Sequence, residues 1–280
     1  MKFISTIAVL SVCSLFSVHA YADSPWMYAE GEQSFSITFV DDRFDNVWEG
    51  DVEAPIAEVT QNNIWLTHLY GLYDDVAIES KVGYTYTSWD KNDSEFDGFS
   101  DSFFSLKYQL LNEFVDNSIA SLSIKITGIL KGTYERASKG NPHAPGNKAN
   151  GSEISLQFGK FLQENVALYA DLGYRKLFDG VPDDILASAG LYYSINSKLG
   201  INGQYSLKSA LTGTDIKDPQ SGFDPDFFHL TKERRQWIEL STSYSLLPAH
   251  NISLGWAQVV NGRNTGKSRI LYLTYQYSIY

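Results

Sequence analysis

The chain has 280 residues and carries 22 basic against 33 acidic side chains, a formal charge of −11 at pH 7. That acid excess excludes the cationic footprint of a nucleic-acid binder, and a single cysteine, Cys13, excludes a disulfide scaffold. Aromatic residues make up 14%, led by 18 tyrosines, whose apolar rings and polar tips suit a membrane–water boundary.

Residues 1–22 read as a cleaved secretory leader. Lys2 supplies the positive start, Phe3 to Phe16 is mostly apolar, and Ala20 and Ala22 flank Tyr21 as a small-residue cleavage site. The apolar run falls short of the roughly 20 residues a membrane helix needs. Val12, where a lipoprotein signal has a small residue, argues against acylation of Cys13. Cleavage after Ala22 removes Cys13, and thiol catalysis with it. Loss of Lys2 takes the basic count from 22 to 21 and the net charge from −11 to −12. Residues 23–33 are then expected as a periplasmic N-terminal segment, and 34–280 as one domain.

That domain alternates with period 2 from residue 34 to its end, the signature of strands with two unlike faces. Phe35, Ile37 and Phe39 alternate with Ser34, Ser36 and Thr38. Next come Ile64 and Leu66, then Val76 to Tyr86. Phe104, Leu106, Tyr108 and Leu110 follow, set against Ser105, Lys107 and Gln109, and then Leu122, Ile124 and Ile126. Later runs centre on Ile154–Phe158, Val166–Tyr174, Ile185–Tyr193, Leu199–Leu207, Ile238–Leu246, Ile252–Trp256 and Leu271–Ile279. The reading is twelve strands.

Their connections alternate in length. Short turns are expected near Tyr73–Asp75, Asn112–Ser118, Gln163–Asn165, Ile195–Ser197 and Leu247–Asn251. Longer polar links are expected near 41–61, 89–100, 132–152, 179–184, 209–235 and 261–268. An even number of strands with short periplasmic turns and long outer loops describes an all-β transmembrane up-and-down barrel of the bacterial outer membrane. A soluble β-sandwich also alternates, but has no reason to sort its loops by length.

Charge placement agrees with this. A cation on the lipid face near the midplane costs about 2–4 kcal/mol, and Glu79, Lys81, Lys107, Lys125, Asp171, Arg175, Lys208 and Glu239 all share parity with the polar residues. These eight are the candidate lumen and substrate-pathway residues. They would tune the selectivity of a hydrated passage, or fill a closed interior with ion pairs. Lys160 shares a face with Leu156 and Phe158, and is expected to reach the headgroups from the periplasmic end of its strand.

The remaining acid gathers in the expected links: Asp41, Asp42, Asp45, Glu49, Asp51 and Glu53, then Asp90, Asp93, Glu95 and Asp97, then Asp215, Asp218, Asp224 and Asp226. Solvated loop charge is the plain reading; cation-bridged contact with lipopolysaccharide is the functional one. The stretch "DKNDSEFDG" has Glu95 where a calcium loop of the EF-hand type needs glycine, so no metal site is assigned. His68 lies on the apolar face, His143 and His229 in links, and His250 in a turn. No serine sits in a nucleophile-elbow motif, and no catalytic residue or cofactor is assigned.

From the fourth run onward the chain resembles the outer-membrane transporter family of phenol-degradation pathways (the MetA type), itself distantly similar to FadL-type hydrophobic-substrate channels. The stretch "DGFSDSFFSLKYQLL", with Gly98, Asp101, Leu106, Lys107 and Tyr108, carries the resemblance, together with "LGYR" at Leu172–Arg175 and "GSEISLQFGKFL". The resemblance implies passive uptake of small hydrophobic or aromatic compounds. The expected partners are outer-membrane lipid and lipopolysaccharide, small-molecule solutes and, through the terminal Tyr280, the barrel-assembly machinery; nucleic acid is not among them, and the barrel is expected as a monomer. A structural or surface-interaction barrel using its acidic loops is the alternative, with a lipid hydrolase behind it.

Overall fold

Strands that are apolar on one face and polar on the other bury neither face within a flat sheet in water. Closed into a barrel and placed in lipid, they satisfy both faces and every backbone group. A computed structural model describes residues 24–91, 94–137, 144 and 146–280, so the expected leader lies outside the described residues. The strands are β1 (Gln33–Glu49), β2 (Val52–Tyr73), β3 (Val76–Trp89), β4 (Ser94–Phe99), β5 (Ser102–Leu111), β6 (Ser121–Leu130), β7 (Gly151–Gln163), β8 (Val166–Leu177), β9 (Asp184–Ser194), β10 (Leu199–Ala210), β11 (Arg234–Leu247), β12 (His250–Arg263), β13 (Thr265–Gly266) and β14 (Arg269–Ile279). All pairings between them are antiparallel; around the ring each strand pairs with the next wall strand along the chain, β3 with β5 and β12 with β14 where a short strand intervenes, and β1 closes the ring by pairing with both β2 and β14. Two short strands lie off the ring: β4 continues the line of β5 along β3, and β13 pairs with the outer end of β1. Twelve strands therefore form the wall, as the alternation predicts.

The wall is inside-out relative to a soluble protein. Phe35, Phe39, Ile64, Leu66, Phe104, Leu106, Ile126, Leu172, Leu240, Leu254, Leu271 and Leu273 are exposed, while Ser105, Thr127, Ser155, Gln157, Asn202, Ser206, Ser241 and Ser243 are buried. An apolar surface running right round a barrel belongs in hydrocarbon, since soluble monomers rarely expose contiguous patches beyond a few hundred Å². A sandwich with a buried apolar core is ruled out by the same pattern.

Two of the expected long links are strand instead. The region 41–61 is a hairpin whose ladder runs to Glu49↔Val52, with Gly50 taking a left-handed φ of 59° at its tip. Within 89–100, β4 folds back on β3 from Trp89↔Ser94 to Tyr84↔Phe99. Above the bilayer both faces of a hairpin meet water or other loops, so the apolar alternation fades while the backbone ladder continues. The link 261–268 likewise contains β13. The five short turns fall where the sequence places them.

Between β4 and β5 the strand line breaks at Ser100–Asp101. β6 pairs with β5 only as far as Ser102↔Leu130. Beyond it the β6–β7 loop completes the wall: Thr133 N donates to Phe99 O at 2.9 Å, and Phe99 N donates to Thr133 Oγ1 at 2.9 Å. Asp101 receives Gly132 N at 2.8 Å and Tyr134 OH at 2.9 Å. A side chain on Gly98 would meet Tyr134 N, so glycine here permits the close approach.

Candidate functional site

Register and burial place all eight sequence-derived lumen residues on the inward face of the wall. Lys107 and Lys125 stand directly opposite each other on β5 and β6, a like-charge pairing that is unfavourable unless each finds a partner. Lys107 finds its partners in the chain's own N-terminal segment: its Nζ donates to Ser24 O and, at 3.0 Å, to Trp26 O. Asp171 lies between Gln157 and Ser188 in the register. Glu239 accepts from Tyr272 OH at 2.6 Å. Lys81 lies over the Trp65 ring, 4.7 Å from its centre. Glu79 lies near Tyr28 of the N-terminal segment.

Residues 24–32 enter the periplasmic end of the lumen and cross it. Pro25 O accepts from Gln109 Nε2 at 3.3 Å and Ser123 Oγ at 2.6 Å, and Trp26 Nε1 donates to buried Glu113 at 2.9 Å. The Trp26 ring packs with Phe161, Ala167 and Tyr169. On the other side Gly31 N donates to Gly71 O at 2.8 Å and Gly71 N to Glu32 O at 2.9 Å, while Tyr28 bonds Ser34 and Gln276. The segment thus spans from β1, β2 and β14 to β5–β8. Nothing in its composition signals this, because an irregular segment has no periodicity to read.

Arg175 and Lys208 belong to a belt of ion pairs further out. Arg175 bonds Glu153 at 2.8 Å; Lys208 bonds Glu233 at 2.6 Å and lies 3.8 Å from Asp184; Arg235 lies 3.8 Å from Asp42. Glu153, Asp184, Arg235 and Asp42 are inward residues that the sequence reading did not place there, since all four lie at or beyond the ends of the apolar runs. Asp42, expected in a loop, faces inward. With these additions the inward strand positions hold six basic and six acidic residues, against the five and three expected.

Inward aromatic rings recur beside inward glycines. Trp65 lies against Gly83, Tyr169 against Gly190, Tyr192 against Gly200 and Tyr272 against Gly255, each ring where a Cβ on that glycine would stand. The register puts Trp65, Tyr169 and Tyr272 directly opposite their glycines. A ring seated on a glycine lies against the wall at that point. This pairing also covers backbone that glycine would leave bare.

The outer mouth is crossed by the β10–β11 loop, residues 211–233. Asp215 pairs with Arg263, which also holds Asp51, and Lys217 pairs with Glu49 at 2.5 Å. Asn264, left-handed at φ 50°, accepts Gly50 N at 2.8 Å and donates to Lys232 O at 3.0 Å. At the far side His229 meets Arg136 at 3.3 Å. Burial, and then the Arg136 cation, hold the His229 pKa below the ordinary imidazole value. Several carboxylates expected to be solvated are therefore engaged within the molecule: Asp41 with Arg43, Glu53 with Lys267, and Asp97 with Tyr84, besides those above.

Lys160 departs from expectation. Its Nζ donates to Asn117 O and Ile119 O, both at 2.6 Å, and sits 3.7 Å from Glu113. The lysine caps the carbonyls of the β5–β6 turn instead of reaching for headgroups. His68 stacks on Phe35 at 4.4 Å and bonds Gln33 at 3.2 Å; His250 bonds Tyr275 OH at 2.6 Å; His143 lies outside the described residues.

No family model and no curated protein matches the chain. Among solved structures it resembles an outer-membrane channel from Pseudomonas putida F1, with a TM-score of 0.75 and 12% identity over 93% of this chain and 100% of that one. The translocator domain of the autotransporter NalP from Neisseria meningitidis gives a TM-score of 0.50 and 13% identity over 98% and 97%. At these identities the likeness establishes fold alone. Together with the apolar outer surface, it makes this chain a twelve-stranded transmembrane barrel of the bacterial outer membrane, with the architecture on which outer-membrane channels are built.

Proposed function

We propose that the barrel is a channel for passive passage of small molecules across the outer membrane, and that hydrophobic or aromatic compounds are its preferred substrates. The observation that carries this reading is the set of inward rings seated against glycines. Trp65, Tyr192 and Tyr272 remain part-exposed on the lumen side, so they offer apolar surface to a passing molecule without closing its path. The resemblance to phenol-pathway transporters in the β4–β8 region points the same way.

The charged candidates divide into three roles. Arg175 and Lys208 serve the ion-pair belt, Lys107 anchors the N-terminal segment, and Lys81, Lys125, Glu79, Asp171 and Glu239 set the charge of the passage. The alternative of a surface-interaction barrel depends on free loop carboxylates. Glu49, Asp51, Glu53 and Asp215 instead hold basic partners within the molecule.

Liposome swelling tests the reading with two poorly permeant zwitterions, phenylalanine and glutamine. Phenylalanine is expected to enter faster through the refolded chain, with Trp65→Ala and Tyr272→Ala lowering the ratio. Equal rates would favour a plain aqueous pore. No entry of either would favour a closed barrel.

A further inference from the structure

Two loops, each fastened to the wall by its own contacts, meet at the outer mouth. In the β6–β7 loop, residues 131–150, Tyr134 OH donates to Asp101, Thr133 N donates to Phe99 O, and Ala144 O accepts from Gln61 Nε2 of β2 at 3.0 Å. The strap 211–233 is fastened elsewhere. Its Asp215 pairs with Arg263, and its neck is closed by Thr214 N donating to Leu230 O at 2.9 Å and Lys232 N donating to Thr214 O at 2.7 Å. The two loops come together where Arg136 meets His229. Arg136 is set in place by its own loop, with Nε donating to Asn147 O at 3.0 Å and Nη2 to Lys148 O at 2.9 Å. Asp179 of the β8–β9 loop lies 3.7 Å from Nη2.

This junction fixes the protonation state of the imidazole. A guanidinium has donors and no acceptor, so His229 Nε2, 3.3 Å from Nη1 of Arg136, accepts, and the ring hydrogen lies on Nδ1. Nδ1 is buried without a hydrogen-bond partner. A second proton would set an N–H of one cation against an N–H of another, and would leave neither ring nitrogen facing an acceptor. The charged groups that act on the ring are Arg136 of the β6–β7 loop, which opposes the proton, and Asp179 of the β8–β9 loop, which favours it. Burial and Arg136 prevail. Phe227, the strap's own ring beside it at 6.0 Å, carries no charge. The strap's other fastenings, the Asp215–Arg263 pair and the neck bonds, contain no histidine.

We propose that the strap and the β6–β7 loop form an outer gate latched by His229 on Arg136, and that acid releases the latch and widens the mouth. The proposal rests on the channel reading and adds regulation to it. Above the ordinary histidine range the neutral ring keeps the loops joined. As pH falls through that range, the parted state takes up a proton that the joined state refuses, so the joined state loses its advantage. One proton on an ordinary imidazole raises the ratio of parted to joined loops by up to about tenfold between pH 7.5 and 5.5.

The test joins electron–electron distance measurements to single-barrel conductance of the refolded chain, both at pH 7.5 and 5.5. Spin labels are carried at Glu135→Cys in the β6–β7 loop and Gln220→Cys in the strap, both exposed positions, in a Cys13→Ser background. In acid the ratio of long to short distances is expected to rise severalfold, with conductance rising alongside. His229→Gln offers Arg136 an acceptor but takes no proton, and should hold the loops joined at both pH values. An unchanged distance distribution, or a His229→Gln barrel that responds to acid like the parent, would overturn the latch. Should His229→Gln fail to fold, the midpoint of the parent's transition decides. A midpoint below about 4.5 would assign the release to carboxylates and overturn the latch. Conductance separates the two claims: a barrel that conducts equally at both pH values removes the gate alone, and one silent at both while its loops part removes the channel and the gate with it.

Discussion

Trp26→Ala should release residues 24–27 of the N-terminal segment from the lumen while leaving the barrel folded. The indole is buried against Phe161, Ala167 and Tyr169, and its N–H donates to the Glu113 carboxylate at 2.9 Å. Truncating a buried aromatic costs about 3–5 kcal/mol, which here falls on docking of the segment and not on the wall. Glu113 keeps Ser121 Oγ, Phe161 N and Lys160 as partners, so no orphaned carboxylate adds to the cost. Even 3 kcal/mol shifts the docked-to-undocked ratio by more than about a hundredfold. Around Trp26 the contacts that remain are the Lys107, Gln109 and Ser123 bonds to Ser24, Pro25 and Trp26 carbonyls, while residues 28–32 stay tied to β1, β2 and β14, so it is the stretch 24–27 that comes free. Those carbonyl bonds are individually worth about 1–3 kcal/mol each and lose their geometry once the indole is gone. Conductance of single refolded barrels in planar bilayers is expected to rise, with the thermal shift in gel mobility unchanged. A variant that folds and conducts like the parent would refute the claim that this segment limits the passage.

Three further outcomes follow from the geometry. Lys160→Met removes both carbonyl bonds at the β5–β6 turn; it should lower urea stability by about 1–3 kcal/mol, equally in zwitterionic and anionic lipid. Dependence on lipid charge would restore the headgroup role. Arg263→Ala severs Asp51 and Asp215 together, and limited proteolysis should then cut within 211–233 faster while the wall stays resistant. His229 faces Arg136 and Asp179, and its pKa is depressed by burial and then by Arg136. A depressed imidazole favours the docked loop above its free value and loses that contribution as pH falls through the ordinary histidine range near 6.5. Amide protection in 211–233, taken relative to the intrinsic exchange rate at each pH, should therefore fall as pH is lowered from 7.5 to 5.5, and His229→Asn should flatten the difference.

Much of the wall was legible because two solvents impose it. Lipid outside and a polar lumen inside force Phe104, Leu106 and Tyr108 to alternate with Ser105, Lys107 and Gln109, and the eight lumen candidates shared that parity. Legibility stopped where one solvent touches both faces, which is why the outer half of the β1–β2 hairpin read as a loop and Asp42 was misplaced. Glu153 sits one residue before its apolar run begins, so its partnership with Arg175 depended on a strand end that periodicity does not mark. The glycine-seated rings are a cross-strand property. Trp65 and Gly83 are 18 positions apart, and only the register of β2 against β3 brings them opposite. Inward glycines facing inward aromatics would be the signal to seek. Lys160 looked like a parity violation because its true partners, the Asn117 and Ile119 carbonyls, belong to a turn whose shape alternation leaves open.

The most direct test of the central claim is conductance of the refolded chain in planar bilayers, with barrel closure checked by heat-modifiable mobility. The account predicts small discrete steps, reduced by an aromatic solute that can occupy the ring-lined lumen and unaffected by glutamine at the same concentration. A folded barrel that stays silent, and remains silent after Trp26→Ala, would contradict it.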